Sequence, residues 1–89
     1  PFIVIPAAGA PSPRLEEQVS AAAEKAMRRY ADVSFDIFAV RPPGGGGFAE
    51  NTAWETRRIL RKLGVPEKRI AVTYVAGKSE TGEVRIYVR

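Results

Sequence analysis

Three stretches of the chain hold residue types that could do chemistry. Gly44 to Gly47 is an unbroken glycine run between a candidate strand and a candidate helix, the setting in which backbone N–H groups can cradle phosphate. Consecutive glycines lack the spacing of a dinucleotide-binding fingerprint, and no acidic residue follows at a ribose-binding offset, so the run reads as a flexible connector. Ala76-Gly77-Lys78-Ser79 ends like a P-loop. That motif needs a glycine where Val72 stands and must open a helix, whereas this stretch opens a turn. Asp36 and Glu50 do not make a convincing catalytic pair, because neither is flanked by a base or nucleophile. Glu50, beside Asn51 and Thr52, is better placed to serve a helix N-terminus.

The third stretch is a cluster of Trp54, Arg57, Arg58, Arg61, Lys62, Lys68 and Arg69. An aromatic among cations is what nucleic-acid surfaces use. The element order differs from that of an RRM, no KH-type GXXG loop is present, and no aromatic stacking platform is evident on the strands. A solvated helix face, or a protein-contact patch anchored by Trp54, is the favoured reading. Composition points the same way. The net charge of +4 comes from basic residues dispersed among 10 acidic ones, a balance common in domains that bind no polyanion. The chain has no histidine and no cysteine, which excludes a histidine triad, a His- or thiolate-ligated zinc site and disulfides. No cofactor is expected, and catalysis has no positive signal.

These residues must be positioned by a small fold. At 89 residues, 45% hydrophobic and 27% charged, the chain is expected to be one globular domain with a single core. No apolar run approaches the roughly 18 residues of a membrane span. The chain begins at Pro1 without a methionine, and so reads as part of something longer or processed. Phe2 to Ile5 is a short apolar run, expected as a strand covered on both faces. Ser12 and Pro13 form a helix start, after which Leu15, Val19, Ala22, Ala26 and Tyr30 recur at helical spacing until Ala31-Asp32. Val33 to Val40 is a strand with Val33, Phe35, Ile37 and Ala39 on one face and its far end better covered. Arg41 to Gly47 is a loop. The second helix, from Phe48, sets Ala49, Ala53, Thr56, Leu60 and Leu63 on one face, widened by Ile59, and stops at Gly64 and Pro66. Ile70 to Ala76 is a third strand. Glu83 to Arg89 is a fourth, with Val84, Ile86 and Val88 inward. The short Gly77 to Gly82 connection makes these two an antiparallel hairpin. The order β-α-β-α-β-β predicts a two-layer α/β sandwich of α+β type, both helices packed on one face of a mixed four-stranded sheet.

The second helix and its exit, AWETRRILRKLGVPEKRI, resemble the OmpA-like family, the periplasmic peptidoglycan-associating domains of Gram-negative envelopes. The family has an arginine-rich helix there, an L-x-x-x-G-V/I-P turn, then a basic residue and Ile or Leu opening a strand. The order of elements and the closing VRIYVR also agree, so the resemblance covers most of residues 1–89. It implies a ligand aspartate in the loop after the second strand and an arginine early in the second helix, binding the diaminopimelate end of the peptide stem. Here those positions hold Arg41 and, counted back from Gly64, Thr52, with Arg57 or Arg58 as substitutes if the register slips. A guanidinium in place of a carboxylate reverses the charge offered to an ammonium, which implies a degenerate peptidoglycan site.

The chain is also similar to the CpaD-like lipoproteins of tight-adherence pilus machines, in the Gly/Pro-rich loop, the helix ending in GVP and the short turn before the last strand. The resemblance implies a non-enzymatic, periplasmic module associated with the outer membrane. Its partners would be other proteins of the envelope apparatus, with membrane association only through a segment outside this chain. The expected contact residues are Arg41, Gly44, Gly45, Asn51, Thr52, Trp54, Arg57 and Arg58 around the loop and helix start. A second expected surface is Arg85, Tyr87 and Arg89 on the open sheet face. Peptidoglycan binding through a rearranged site and a basic nucleic-acid-binding domain are the alternatives.

Overall fold

The computed structural model describes residues 2–6, 13–44, 48–77 and 82–89. Its elements are β1 (Phe2–Pro6), α1 (Leu15–Arg29), β2 (Phe35–Arg41), α2 (Phe48–Lys62), a 3-10 turn at Glu67–Arg69, β3 (Ile70–Ala76) and β4 (Glu83–Val88). The four strands form one mixed sheet in the order β1-β4-β2-β3. The predicted two-layer arrangement holds. The buried side chains of both helices join one face of the sheet in a single core built on Val19, Ala23, Phe35, Ile37, Ala53, Ile59, Leu60, Val84 and Ile86.

Helix α1 buries Leu15, Val19 and Ala23, with acids in its first turn and arginines in its last, a distribution that complements the helix dipole. Ser12 lies outside the described residues, and the residue at the N-cap is Arg14, without a side-chain cap hydrogen bond. Tyr30, expected on the buried stripe, is 65% exposed. It adopts an extended conformation just past the helix end, so the helical spacing no longer applies to it. Helix α2 buries Ala49, Thr52, Ala53, Thr56, Ile59 and Leu60. It ends as the sequence predicts. Gly64 takes φ 98°, its N–H donates to the Arg61 carbonyl at 3.0 Å, and the Val65 N–H reaches the Leu60 carbonyl at 3.1 Å. This paired closure satisfies two orphan carbonyls and folds buried Val65 back onto the core.

Two expectations about the strands are corrected. The last two strands do not form a hairpin. β4 runs antiparallel to both β1 and β2, while β3 pairs parallel with β2. Gly77 and Gly82 both lie against the end of β2: an added Cβ at Gly77 would collide with the Val40 side chain, and one at Gly82 would sit 3.1 Å from the Val40 carbonyl oxygen. The alternation in Val84, Ile86 and Val88 suits a central strand as well as a hairpin arm, and β4 has neighbours on both sides. The second correction concerns β1. It is an edge strand: Ile5 is buried but Val4 is 45% exposed, because its outward face lies on the layer that no helix covers. Beyond Val88, Arg89 continues the ladder by exchanging backbone hydrogen bonds with Ser34 at 2.9 Å.

Candidate functional site

The end of β2 carries Arg41 onto the helix side of the sheet, opposite Ala76 in the β3 register. Its guanidinium pairs with Glu50 in the first turn of α2 and lies 5.5 Å from the centre of the Tyr74 ring. Glu50, the acid in the first turn of α2, therefore neutralises a cation as well as complementing the positive end of the helix dipole. Asn51 is exposed, whereas Thr52 is 2% exposed. Among the described residues the Thr52 hydroxyl finds no hydrogen-bond partner, while its carbonyl accepts from the Thr56 hydroxyl at 2.8 Å. Gly44 has open space around it, and Gly45 to Gly47 lie outside the described residues.

Helix α2 has two polar flanks with different neighbours. On one, Lys62 reaches Glu16 of α1 at 3.0 Å, and Arg58 clasps Glu55 through three hydrogen bonds of 2.8 to 3.2 Å. The bond from Arg58 holds the Glu55 carboxyl below the ordinary glutamate range. The same bond and charge of Glu55 raise the Arg58 guanidinium, with α1's Glu16 adding to the field. On the other flank, Arg57 donates to Glu67 at 2.6 Å and lies 5.6 Å from the centre of the Trp54 ring. Glu67 opens the 3-10 turn that leads into β3. Arg41 and Arg57 thus sit by opposite ends of β3, and Arg58 lies on the side of α1. The loop cluster expected from the sequence divides between these flanks.

The open sheet face holds a groove of about 540 Å³ lined by Phe38, Val40, Val75, Tyr87, Arg85 and Arg89, among others. Phe38 and Tyr87 meet edge to face at 5.3 Å. This aromatic pair is absent from the sequence reading because it depends on β4 lying beside β2. Each arginine is clasped by an acid less exposed than itself: Arg85 by Glu83 at 3.1 Å and Arg89 by Asp36 at 2.7 Å. The Glu83 hydrogen bond raises Arg85 above the usual guanidinium value. Such a surface presents cationic edges around an apolar floor and suits association better than proton transfer. Among the described residues no three His, Cys, Asp or Glu side chains gather as a metal site.

No protein-family model matches the chain, and no curated protein matches it at a significant level. Its fold does have solved counterparts. The C-terminal domain of Helicobacter pylori MotB matches with a TM-score of 0.70 at 12% identity, over 98% of this chain and 84% of that one. The periplasmic domain of the same protein matches with a TM-score of 0.72 at 10% identity, over 98% of this chain and 74% of that one. At 10 to 12% identity these likenesses are of fold, and they extend over nearly the whole of residues 1–89.

Proposed function

We propose that the chain is a non-enzymatic, periplasmic binding and assembly module of a bacterial envelope apparatus, an OmpA-like domain whose peptidoglycan site is degenerate. Its fold is shared with a domain described as periplasmic, which supports the compartment. The observation that carries the reading is Arg41. At the position where the resemblance implies a ligand-binding carboxylate, a guanidinium is neutralised by Glu50 and stacked on Tyr74. An ammonium ligand meets a cation there, and the acid nearby is already engaged. The contact surfaces then serve other proteins, in line with the CpaD-like resemblance to pilus machinery and with outer-membrane association through a segment outside residues 1–89.

Co-sedimentation with purified peptidoglycan sacculi tests this, at low and moderate salt, beside an Arg41→Asp variant. Wild type is expected to stay in the supernatant at moderate salt. Binding gained only by Arg41→Asp would mark an inherited shell with its charge reversed. Pelleting of the wild type at both salts would overturn the docking reading in favour of peptidoglycan binding through a rearranged site.

A further inference from the structure

Strand β3 is an outer strand of the sheet, paired only with β2 among the described residues. Its seven residues, IAVTYVA, carry no charge and no proline, and Tyr74 and Val75 are its exposed large side chains. Isolated edges are normally blunted by lysine, proline or a bulge, because unpaired N–H and C=O groups template the addition of another strand. β1, the opposite edge, ends in Pro6. β3 has no such protection in its own residues.

The flank of α2 beside this edge is a wall. Glu50, Arg57 and Arg61 recur at helical spacing, with Trp54 standing 52% exposed at the rim. The ion pairs place this wall along the strand: Arg41–Glu50 with Tyr74 at the C-terminal end of β3, and Arg57–Glu67 at its N-terminal end. A strand added to β3 would therefore send alternate side chains into a channel between Tyr74 and the Arg57–Trp54 pair. Cations predominate at the N-terminal end: Arg57 pairs with Glu67, Arg61 donates to the Val65 carbonyl at 3.3 Å, and Lys68 follows in the 3-10 turn.

We propose that the β3 edge and the Trp54–Arg57 flank of α2 form a strand-addition groove for an extended, acidic segment of a partner protein with apolar side chains at alternate positions. Main-chain pairing supplies affinity in such grooves, and the alternate side chains supply specificity. Acidic charge is selected because the wall is cationic. A second copy of the chain fits less well, since two-fold pairing of β3 would set the cation-rich end of one copy, Arg57, Arg61 and Lys68 against Glu67, beside the already neutralised Arg41–Glu50 pair of the other, which offers no acidic excess. The proposal rests on the docking-module reading, and the two fail separately: sacculus binding removes that reading without touching this groove.

Trp54 is the chain's single tryptophan, so its fluorescence reports on the rim directly. The probes are a heptapeptide alternating glutamate with valine and phenylalanine, a lysine-for-glutamate version, and two glutamate versions N-methylated on alternate amides in opposite registers. The glutamate peptide is expected to shift Trp54 emission to the blue and bind, while the lysine peptide does not. One methylation register should abolish binding and the other spare it, the signature of a ladder. Arg57→Glu and Tyr74→Ala should each weaken binding about tenfold, as groove anchors do, whereas Arg28→Glu on exposed α1 leaves it unchanged. No binding of the glutamate peptide, or equal sensitivity to both methylation registers, overturns the proposal. So does concentration-dependent dimerisation in sedimentation that shifts Trp54 without peptide.

Discussion

Arg41 and Thr52 stand where the OmpA-like resemblance implies an acid and a base, and each has been absorbed into the fold differently. Arg41 is half exposed, so its pairing with Glu50 is screened and worth little to stability. Arg41→Ala is expected to lower the unfolding free energy by no more than about 1 kcal/mol in a urea titration. Arg41→Asp should cost more than Arg41→Ala, because it sets a second carboxylate beside Glu50. Thr52 presents the opposite case. Its hydroxyl is buried without a partner among the described residues, and a buried unpaired donor is a liability that an apolar group of the same shape removes. Thr52→Val should therefore stabilise by about 1 kcal/mol, and a loss of stability would show that the hydroxyl is engaged. The Arg41 contacts could not be read from the sequence, since Arg41, Glu50 and Tyr74 converge only once β2, α2 and β3 are docked.

The elements themselves were mostly legible. The α2 stripe, its glycine stop and the inward residues of β2 follow from apolar periodicity and backbone chemistry that act locally. Gly64 gives a direct check. A Cβ there meets nothing within 4 Å, so the cost of Gly64→Ala is that of the left-handed backbone alone, about 1–2 kcal/mol by chemical denaturation. The Glu55–Arg58 pair, one turn apart on α2, makes a second prediction. A depressed carboxyl contributes stability that is fully present above the ordinary glutamate pKa and is lost as pH falls through the depressed value. NMR titration of the Glu55 side chain should show its midpoint rising towards the ordinary value in Arg58→Gln. An unchanged midpoint would remove Arg58 as the cause. Misread positions such as Tyr30 and Val4 lie at element ends or sheet edges, where periodicity no longer reports burial.

At the scale of the molecule, strand order was the part the sequence could not supply. Alternation in β4 is equally consistent with an edge hairpin and a central strand, and only its pairing with both β1 and β2 separates them. Native-state hydrogen exchange should distinguish these arrangements in solution. Amides of β4 and β2, the interior strands, are expected to exchange slowest, and those of β3 faster than β4. A hairpin would protect β3 and β4 alike.

The position of β4 also governs when the fold can exist. Among the described residues β1 finds its pairing partner only in β4, so residues 2–6 have no strand to join until residues 83–88 arrive. A polypeptide emerging N-terminus first from a ribosome tunnel would hold β1 unpaired until β4 had emerged. Closure from end to end carries a large loop entropy, which slows folding relative to local hairpins. The same delay leaves the sheet without its β1 edge until β4 is in place.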